Sequence, residues 1–411
     1  MIPSSAPEPV RDDRERDGTH LHEHRPRPDP GEGRKGLSPA AEGSRDVNIG
    51  IPKERRPNEY RTGVSPVGVR LLTEAGNTCY VERGTGLGAG FSDEDYVRAG
   101  GKIVYSGEEV WGRAQLVLKV LCPTAEEVAW MLPSQVVMGF LNLPVAHPSE
   151  VATLLAKNVT AIAYEQIELP DGSHPVLKPL SQIGGRMAAQ IAATVLQNDK
   201  GSRGVLLGGV AGVPPAEVVV VGGGVVGENA AKAFFGLGAH VTILDQDLAR
   251  LQELATLFRD QVVTMMSYPH AVARACEFAD VVVGAVMVTG QRTPMVLPRT
   301  VLRKMRPGSV FVDLSIDHGG CAESSRPTTH ESPTYVEEGV VHVCIPNLPG
   351  VVARTATHAF LNAARPYIEL VVRHGVEEAI ALDGALAKGV VTHKGEVRNL
   401  RPVAYGAFQQ G

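Results

Sequence analysis

The stretch around residues 217–245 constrains the fold most, because it combines a strand, a glycine-rich turn and a helix in one short unit. The apolar run at 218–221 is typical of a parallel strand buried on both faces. Three glycines follow in G-x-G-x-x-G spacing: Gly222, Gly224 and Gly227. The next stretch, 228–237, is amphipathic, and a second strand at 240–244 ends at Asp245. This order predicts a βαβ unit of a parallel sheet.

Each part of this unit suits the binding of a dinucleotide. Glycines permit a tight turn, close approach of backbone to a pyrophosphate, and close packing of helix on strand. The start of the helix offers unpaired N–H groups and a partial positive charge to the same pyrophosphate. Asp245 is placed to accept hydrogen bonds from both ribose hydroxyls and to repel a 2′-phosphate, and Gln246 rather than an arginine follows it. We therefore predict NAD as cofactor rather than NADP; the alternative is a glycine-rich loop without a ligand.

Composition limits the remaining classes of protein. A chain of 411 residues with 43% hydrophobic and 21% charged residues is typical of a globular protein of two or three domains. The formal charge of −5 gives no reason to expect nucleic acid or an anionic membrane as partner. No apolar run approaches the roughly 18 residues of a membrane helix, and no signal peptide is evident, so we expect a cytoplasmic protein. Five scattered cysteines without a C-x-x-C pair argue against disulfides and against a zinc site, so no metal is expected.

Two kinds of sequence follow one another along the chain. Residues 1–46 hold seven prolines, charges of both signs and no aromatic residue of the Phe, Trp or Tyr type, which predicts a disordered tail. Its H-x-H-x-H cluster at 20–24 is more typical of a solvated tail than of a metal site. From residue 47 onward, short apolar strands alternate with well-capped helices, which indicates parallel sheets with helices on both faces.

This alternation predicts an α/β protein of two doubly wound, Rossmann-like domains with a deep cleft between them. We expect residues 47–181 together with 351–411 to form a substrate-binding domain, and 182–350 to form an NAD-binding domain. Long helices are predicted at 183–198 and, as the last helix, at 355–372, the latter packing back on the first domain. The strands predicted in the first domain are 47–51, 78–82, 103–105, 116–120, 136–140 and 160–163.

Polar residues at strand ends are candidates for chemistry, because ligands of open α/β sheets lie beyond the carboxyl ends of the strands. Lys119 closes an apolar run, where an ammonium is costly unless it faces a cleft or an anion; a lysine at a sheet edge is the alternative. Arg61 follows the first strand and is able to bind a carboxylate through two hydrogen bonds, or to lie on the surface. Asp313 and Asp317 follow a strand and suit either catalysis or turn capping. Thr355 and Thr357 are predicted helix N-caps.

Seven motifs in addition to the dinucleotide loop occur in a fixed order along the chain. They are G-I-P-K-E-R-R-P-N-E-Y-R at 50–61, L-V-L-K-V at 116–120, I-A-Y-E at 162–165, R-G-V-L-L-G-G-V-A-G-V at 203–213, V-D-L-S-I-D-H-G-G-C at 312–321, E-S-S-R-P-T-T at 323–329 and N-L-P-G at 347–350. Together they resemble the alanine dehydrogenase family, which is related to the NAD(H)-binding subunit of proton-translocating transhydrogenase. The resemblance covers nearly all of the chain from residue 47 to residue 393.

The resemblance implies an NAD-dependent enzyme that interconverts L-alanine, or a related amino acid, with pyruvate or a related 2-oxo acid and ammonia. It implies that Arg61 and Lys119 bind the substrate carboxylate, and that Lys119 also helps to polarise the reacting carbon. Asp317 would lie beside that carbon and handle water and ammonia, and Asn347 would border the nicotinamide and the substrate. The implied cofactor-contacting positions are Ser181, Gly222, Gly224, Gly227, Asp245, Arg250 and Leu348. Self-association, as a homohexamer, is implied as well.

One departure from the family pattern concerns its catalytic histidine, because the family's F-L-H-L is here Phe140-Leu141-Asn142-Leu143. The amide of Asn142 can donate a hydrogen bond to a carbonyl oxygen, but it cannot accept and return a proton. Such proton transfer is typically worth about 10²–10⁴ in rate. His147 and His318 are candidates to replace the imidazole. Two hypotheses stay open: an NAD-dependent dehydrogenase of the alanine dehydrogenase type, acting on L-alanine or a related amino acid, or a catalytically weakened or inactive NAD-binding homologue with a regulatory or altered-substrate role.

Overall fold

The computed structural model describes residues 46–143, 147–287 and 292–399, which form two β-sheets flanked by helices. Apart from Asp46, the predicted disordered tail lies outside the described residues. No helix in these three ranges is both long and apolar enough to cross a membrane. All five cysteines are free thiols.

The first sheet has eight strands in the order β15-β14-β6-β5-β4-β1-β2-β3. Their bounds are β1 Asn48–Ile51, β2 Thr78–Glu82, β3 Lys102–Val104, β4 Leu116–Leu121, β5 Val136–Phe140, β6 Thr160–Ala163, β14 Val390–His393 and β15 Glu396–Val397. Strands β1 to β6 pair in parallel, as predicted, whereas β14 lies antiparallel to β6 and β15 antiparallel to β14. The expectation of a wholly parallel sheet is therefore wrong at this edge.

The pairing of β4 with β5 is irregular at the end that approaches the cavity described below. Leu118 pairs with Met138 and Leu121 pairs with Phe140, so β4 takes three residue steps where β5 takes two. An extra residue of this kind changes the direction in which the following side chains point. Lys119 lies within this irregular step.

Helices α1 to α5 follow the strands of the first sheet, at Pro66–Glu74, Asp93–Arg98, Gly107–Arg113, Ala125–Trp130 and Pro148–Ala156. The predicted caps are confirmed at three of them. The Ser65 side chain accepts a hydrogen bond from the backbone N–H of Gly68, and Ser92 with Asp95 forms a capping box. Thr124 with Glu127 forms another. These caps satisfy N–H groups that the first helical turn leaves unpaired.

The second sheet has seven strands in the order β12-β13-β11-β10-β7-β8-β9. Their bounds are β7 Glu217–Val221, β8 His240–Asp245, β9 Val263–Met266, β10 Val281–Gly284, β11 Val310–Asp313, β12 Thr334–Glu337 and β13 Val340–Val343. All pairs are parallel except β12 with β13, an edge hairpin that the sequence analysis did not predict. The predicted βαβ unit is thus present as β7, a helix and β8.

The remaining helices are α6 Lys178–Val195, α7 Val225–Gly236, α8 Leu248–Leu257, α9 Pro269–Phe278, α10 Arg299–Leu302, α11 Ala353–His374, α12 Val376–Leu382 and α13 Gly384–Gly389. Helix α11 begins before Thr355 and Thr357, so the prediction that these residues are N-caps is wrong. Instead, Oγ1 of the buried Thr357 accepts a hydrogen bond from the backbone N–H of Thr62. Helix α11 is also followed by α12 and α13, so it is not the last helix.

Two helices bring the ends of the sheets together. Helix α11 buries Phe360 and Ile368 in the same hydrophobic cluster as Ile49 of β1, which confirms that it packs on the first sheet. Helix α6 touches α7 closely, because a Cβ on Gly185 would lie 2.3 Å from the carbonyl oxygen of Val226. This contact holds α6 against the start of α7, directly after the glycine-rich turn.

Candidate functional site

A cavity of about 490 Å³ lies where loops from both sheets meet α6. Asn142 and Glu165 line it from the segments after β5 and β6, and Ser181 lines it from the first turn of α6. Asp317 and Asn347 line it from the segments after β11 and β13. The cavity therefore lies at the carboxyl ends of the strands, where a ligand site is expected.

Arg61 lies in the wall of this cavity and is held rigidly from one side. Its Nε donates to Oε1 of Glu59 at 2.7 Å, and its Nη2 donates to Oε2 of Glu59 at 2.5 Å and to Oδ1 of Asn347 at 2.7 Å. Hydrogen bonds from Arg61 and Asn347 outweigh burial and lower the pKa of the Glu59 carboxyl. Within the described part of the chain, Nη1 of Arg61 makes no hydrogen bond. The guanidinium thus keeps one donor edge for a ligand.

Asp317 lines the same cavity as Arg61, and Asn347 connects the two residues through hydrogen bonds to both. Both oxygens of the Asp317 carboxyl accept a hydrogen bond from the backbone N–H of Asn347, at 3.1 and 3.2 Å. The side chain is exposed to the cavity, yet protein surrounds it elsewhere, and burial raises its pKa although Asn347, His318 and Arg61 oppose the rise. A carboxyl with a raised pKa is suited to accept and return a proton.

The structure does not bring Lys119 to the cavity. Its Nζ lies 2.7 Å from Oε1 of Glu127 and 3.3 Å from Oε2 of Glu54, and its side chain is fully buried. Burial lowers the pKa of Lys119, but the two carboxylates outweigh it and the net shift is upward. The ammonium therefore faces anions within the protein, which is one of the two arrangements that make a buried charge tolerable.

The part of the cavity wall where Lys119 was expected is formed by other residues, from the end of β4 and from the motif at 50–61. Leu121 and Cys122 line the cavity from the end of β4, together with the exposed Arg56. Nε of Arg56 donates to the carbonyl oxygen of Cys122 at 3.2 Å. Arg56 has no carboxylate partner among the residues that the structure describes. Arg56 was not predicted to be a site residue, although it lies in the motif at 50–61 that carried the resemblance.

Asn142 lies on the cavity wall in a turn of left-handed backbone conformation, with φ of 41°. Its backbone N–H donates to Oε1 of Glu165 at 2.7 Å. Burial raises the pKa of Glu165 to about 7. Glu165 belongs to the I-A-Y-E motif but was not predicted to have a role, because nothing in the motif indicates that it approaches Asn142.

The two histidines that were candidates to replace an imidazole differ in position. His318 lines the cavity beside Asp317. Nδ1 of His147 lies 2.7 Å from Oγ of Ser149 and accepts from the backbone N–H of the same serine, so it caps α5. His147 is not among the residues that line the cavity.

The glycine-rich turn next to the cavity has the steric requirements that the spacing predicts. A Cβ on Gly222, whose φ is 102°, would lie 2.3 Å from the carbonyl oxygen of Ala285, and a Cβ on Gly227 would lie 1.8 Å from that of Gly222. Gly224 is different, because its φ is ordinary and nothing lies within 4 Å of where its Cβ would be. Gly224 also begins α7 without a side-chain cap. The turn thus leaves open space above uncapped helix N–H groups, which suits a pyrophosphate.

Asp245 and Arg250 support this turn. Oδ2 of Asp245 accepts a hydrogen bond from the backbone N–H of Gly223 at 2.6 Å, and Nε of Arg250 donates to the carbonyl oxygen of Gly223 at 2.8 Å. Arg250 is also ion-paired with Glu228 and Glu253. Ser181 and Leu348, which complete the predicted cofactor positions, both line the cavity. The residues present therefore fit a dinucleotide that runs from the end of β8 into the cavity.

Two α/β domains, a glycine-rich turn and a cavity at their strand ends define a two-domain protein of the Rossmann type. The chain belongs to the alanine dehydrogenase/PNT family. Its residues 50–184 match the model of the family's N-terminal domain, and residues 188–400 match that of its C-terminal domain.

Individual relatives and solved structures agree with this assignment. The chain is 44% identical to an alanine dehydrogenase of Halomonas elongata over 85% of this chain and 94% of that relative, and 43% identical to one of Methanococcus maripaludis over the same shares. A solved L-alanine dehydrogenase superposes with a TM-score of 0.82 at 44% identity, over 85% of this chain and 96% of that one. A transhydrogenase from Sinorhizobium meliloti superposes with a TM-score of 0.73 at 26% identity, over 85% of this chain and 98% of that one.

Proposed function

We propose that the protein is an NAD-dependent L-amino-acid dehydrogenase that interconverts L-alanine, or a related amino acid, with the 2-oxo acid and ammonia. The observation that carries this proposal is that Arg61 and Asp317 line one cavity beside the glycine-rich turn. A guanidinium and a carboxyl at this place suit a small acid that has to exchange protons. Two relatives that match this chain over 94% of their own length are alanine dehydrogenases, which supports the same reaction.

The cofactor is proposed to lie along the turn and the end of β8. The N–H groups at the start of α7 and the open space at Gly224 would hold the pyrophosphate. Asp245 would accept hydrogen bonds from the ribose and disfavour NADP. Ser181 and Leu348 would border the nicotinamide end. When bound, NAD accepts a hydride from Cα of the amino acid.

The substrate carboxylate is proposed to bind to Arg61 and Arg56. Glu59 and Asn347 fix the guanidinium of Arg61, so little side-chain freedom is lost on binding. Arg56 would supply the second cation, a role that the resemblance had assigned to Lys119. Lys119 is proposed to act indirectly, by holding Glu54, whose Oε1 accepts from the backbone N–H of Val120 at 2.7 Å and so fixes the end of β4.

Asp317 is proposed to act on the water and ammonia that add to the reacting carbon. Its hydrogen bonds from Asn347 orient it, and burial raises its pKa, which suits a carboxyl that exchanges protons with water and ammonia. Apolar residues of the cavity wall, such as Phe140 and Ile345, would exclude bulk water from the hydride path. We further propose the domain division at 47–181 with 351–411 and 182–350, and a homohexamer, which light scattering on the purified protein would test.

The experiment that tests the proposal is an assay of the purified protein with two sets of substrates. Alanine and other L-amino acids are offered with NAD or NADP, and 2-oxo acids are offered with ammonia and NADH, while absorbance of the reduced cofactor is followed. We expect turnover of a small amino acid with NAD and at least about tenfold less with NADP, which corresponds to about 1.4 kcal/mol. Arg61→Met should abolish this activity, and Arg98→Met, on the exposed surface of α2, is the control.

The second candidate function is an NAD-binding homologue with little or no catalysis. Asn142 in the cavity wall and the enclosed ammonium of Lys119 favour it, because neither can exchange a proton with a ligand there. Calorimetry would reveal NAD binding with no turnover of any substrate in the panel. Turnover by the wild-type protein would exclude this candidate.

A further inference from the structure

One carboxyl group in the cavity wall has no task in the reaction described so far and is incompletely hydrogen-bonded. Glu165 lies in a short helical turn, Tyr164–Gln166, directly after β6. Its Oε1 accepts the N–H of Asn142. Its Oε2 is buried and has no hydrogen-bond partner within the described ranges of the chain. A buried polar atom without a partner is rare in folded proteins, and a functional role is one of its known causes.

The surroundings of Glu165 set its proton affinity. Burial raises the pKa of its carboxyl to about 7, and hydrogen bonds from the backbone amides of Asn142 and Leu141 offset this rise only in part. Burial also raises the pKa of the Cys122 thiol, to about 12, so that this neighbour is neutral. The other titratable groups on the cavity wall are Arg56, Arg61, Cys122, Asp317 and His318, and the charges of Glu150 and Lys119 also act on the Cys122 thiol. A carboxyl that is partly protonated near neutral pH is suited to proton exchange.

We propose that Glu165 is a catalytic residue that exchanges a proton with the substrate oxygen, a task that Asn142 cannot perform. This inference rests on the proposed dehydrogenase function. The hydrogen bond between the Asn142 backbone N–H and Oε1 orients the carboxyl, and Asn142 lines the same cavity with an amide side chain that does not titrate. Glu165 reaches the cavity from β6, whereas Asp317 reaches it from β11, so the two carboxyls approach the substrate from different sheets.

The proposed step is balanced in atoms and electrons. In the direction of amine formation, the nitrogen of ammonia forms a bond to the carbonyl carbon, and the π electron pair of the carbonyl moves to its oxygen. The carboxyl of Glu165 gives a proton to that oxygen, and the nitrogen gives a proton to Asp317. In the opposite direction both protons return, the C=O bond re-forms and the C–N bond breaks. Hydride transfer is a separate step, so this one needs no oxidant or reductant.

The test is the pH dependence of kcat/KM for oxidation of the best amino acid substrate, measured on Glu165→Gln. In this direction Glu165 acts as a base, so the wild-type rate should rise as pH passes through about 7. Glu165→Gln should lose this rise together with about 10²–10⁴ of the rate, since glutamine does not titrate. The KM for the amino acid should change little. Glu165→Asp should keep a rise at a shifted pH. Glu168→Gln, three residues later and paired with Lys388 outside the cavity, is the control and should match the wild type.

Two results would overturn the inference without touching the proposed function: an active wild type with an equally active Glu165→Gln, or a slow variant whose rise near pH 7 persists. The second result would assign Glu165 a purely structural role. A wild-type protein that oxidises no amino acid would refute the proposed function, and the role of Glu165 with it. If Glu165→Gln does not fold, the position of the rise in Glu165→Asp decides, because an unshifted rise excludes Glu165 as its source.

Discussion

Nζ of Lys119 lies 2.7 Å from Oε1 of Glu127, and this ion pair is buried between β4 and α4 rather than open to the cavity. Glu54 joins it and accepts the backbone N–H of Val120. The resemblance to a dehydrogenase family indicated a substrate-binding role for this lysine. In the structure the lysine is instead the counter-ion of Glu54 and Glu127. It is connected to the cavity only indirectly, because Glu54 accepts a hydrogen bond from the backbone at the end of β4.

The first prediction concerns this cluster. Lys119→Met should lower the free energy of unfolding at neutral pH by about 3–5 kcal/mol, because it leaves the buried Glu54 without its cation and Glu127 with only Arg55, at 3.9 Å. Urea titration followed by circular dichroism measures the change. Lys200→Met is the matched control, because Lys200 is an exposed lysine paired with Asp199, and it should change stability by less than about 0.5 kcal/mol.

The same variant should show an altered dependence of stability on pH. Burial already raises the pKa of Glu54 above its ordinary value, although Lys119 opposes the rise. A carboxyl with a raised folded-state pKa contributes stability below its unfolded pKa and loses it as pH rises through the folded pKa. Without the lysine the rise is larger, so Lys119→Met should regain stability as pH falls from neutrality toward the ordinary pKa of a carboxyl group. A loss that is the same at neutral and at acidic pH would contradict this account.

The second prediction concerns Arg56. Arg56→Met should raise the KM for the 2-oxo acid by about 10–100-fold with little effect on kcat, because a hydrogen bond to a charged group contributes about 1.5–3 kcal/mol. Steady-state kinetics at saturating NADH and ammonia measure both constants. Arg303→Met, which removes an exposed guanidinium paired with Glu338, should leave them unchanged. An unchanged KM in Arg56→Met would leave Arg61 alone as the carboxylate-binding cation.

The third prediction distinguishes Gly227, which is required for close packing of the backbone, from Gly224, which leaves space for the cofactor. Gly227→Ala should destabilise the protein by about 1–3 kcal/mol and prevent NAD binding, since its Cβ would collide with backbone. Gly224→Ala should keep the melting temperature but weaken NAD binding at least about tenfold, since its Cβ would enter open space above the turn. Gly236→Ala, at the open end of the same helix, should affect neither quantity adversely. Calorimetry and thermal melting provide the two measurements, and wild-type NAD affinity in Gly224→Ala would contradict the proposed path of the pyrophosphate.

The fourth prediction concerns Asn142. Asn142→His should raise kcat for alanine oxidation by about tenfold or more, because an imidazole adds a second proton carrier beside Glu165. The backbone at this position has φ of 41°, and histidine is among the residues that tolerate the left-handed region best. Asn142→Gln, which keeps the amide, should show no gain. If the histidine variant is no faster than the wild type, proton exchange at this position does not limit the rate.

Sequence reasoning located the parts of the site that short, regular segments determine. The glycine-rich turn and the strands β7 and β8 follow from glycine spacing and hydrophobic pattern, whereas the placement of Arg61 and Asp317 at one cavity was implied by the family resemblance. Sequence reasoning did not indicate where Lys119 points. That direction depends on the irregular pairing of β4 with β5, and register between strands is a tertiary property that neither strand contains alone.

Other features were unpredictable for related reasons. Strands β14 and β15 are short, and β14 pairs with β6 from a distant part of the sequence, so local alternation carried no signal for an antiparallel edge. Helix α11 starts without a side-chain cap, and the threonines that resemble caps lie inside it. Glu165 and Asn142 become neighbours only when β5 and β6 pair, which again is invisible in either segment.

The antiparallel pairing of β14 with β6 has a consequence for folding during synthesis. Nδ1 of His393 lies 2.9 Å from Oγ1 of Thr160, and Oγ1 of Thr392 accepts from the backbone N–H of Ala161, so side-chain hydrogen bonds also join β14 to β6, the strand that precedes Glu165. During translation, β6 emerges from the ribosome long before residues 390–397 do. Its edge stays unpaired throughout that interval and is open to chaperones or to other nascent chains. This sheet is therefore completed late, after all strands of the second sheet have been synthesised.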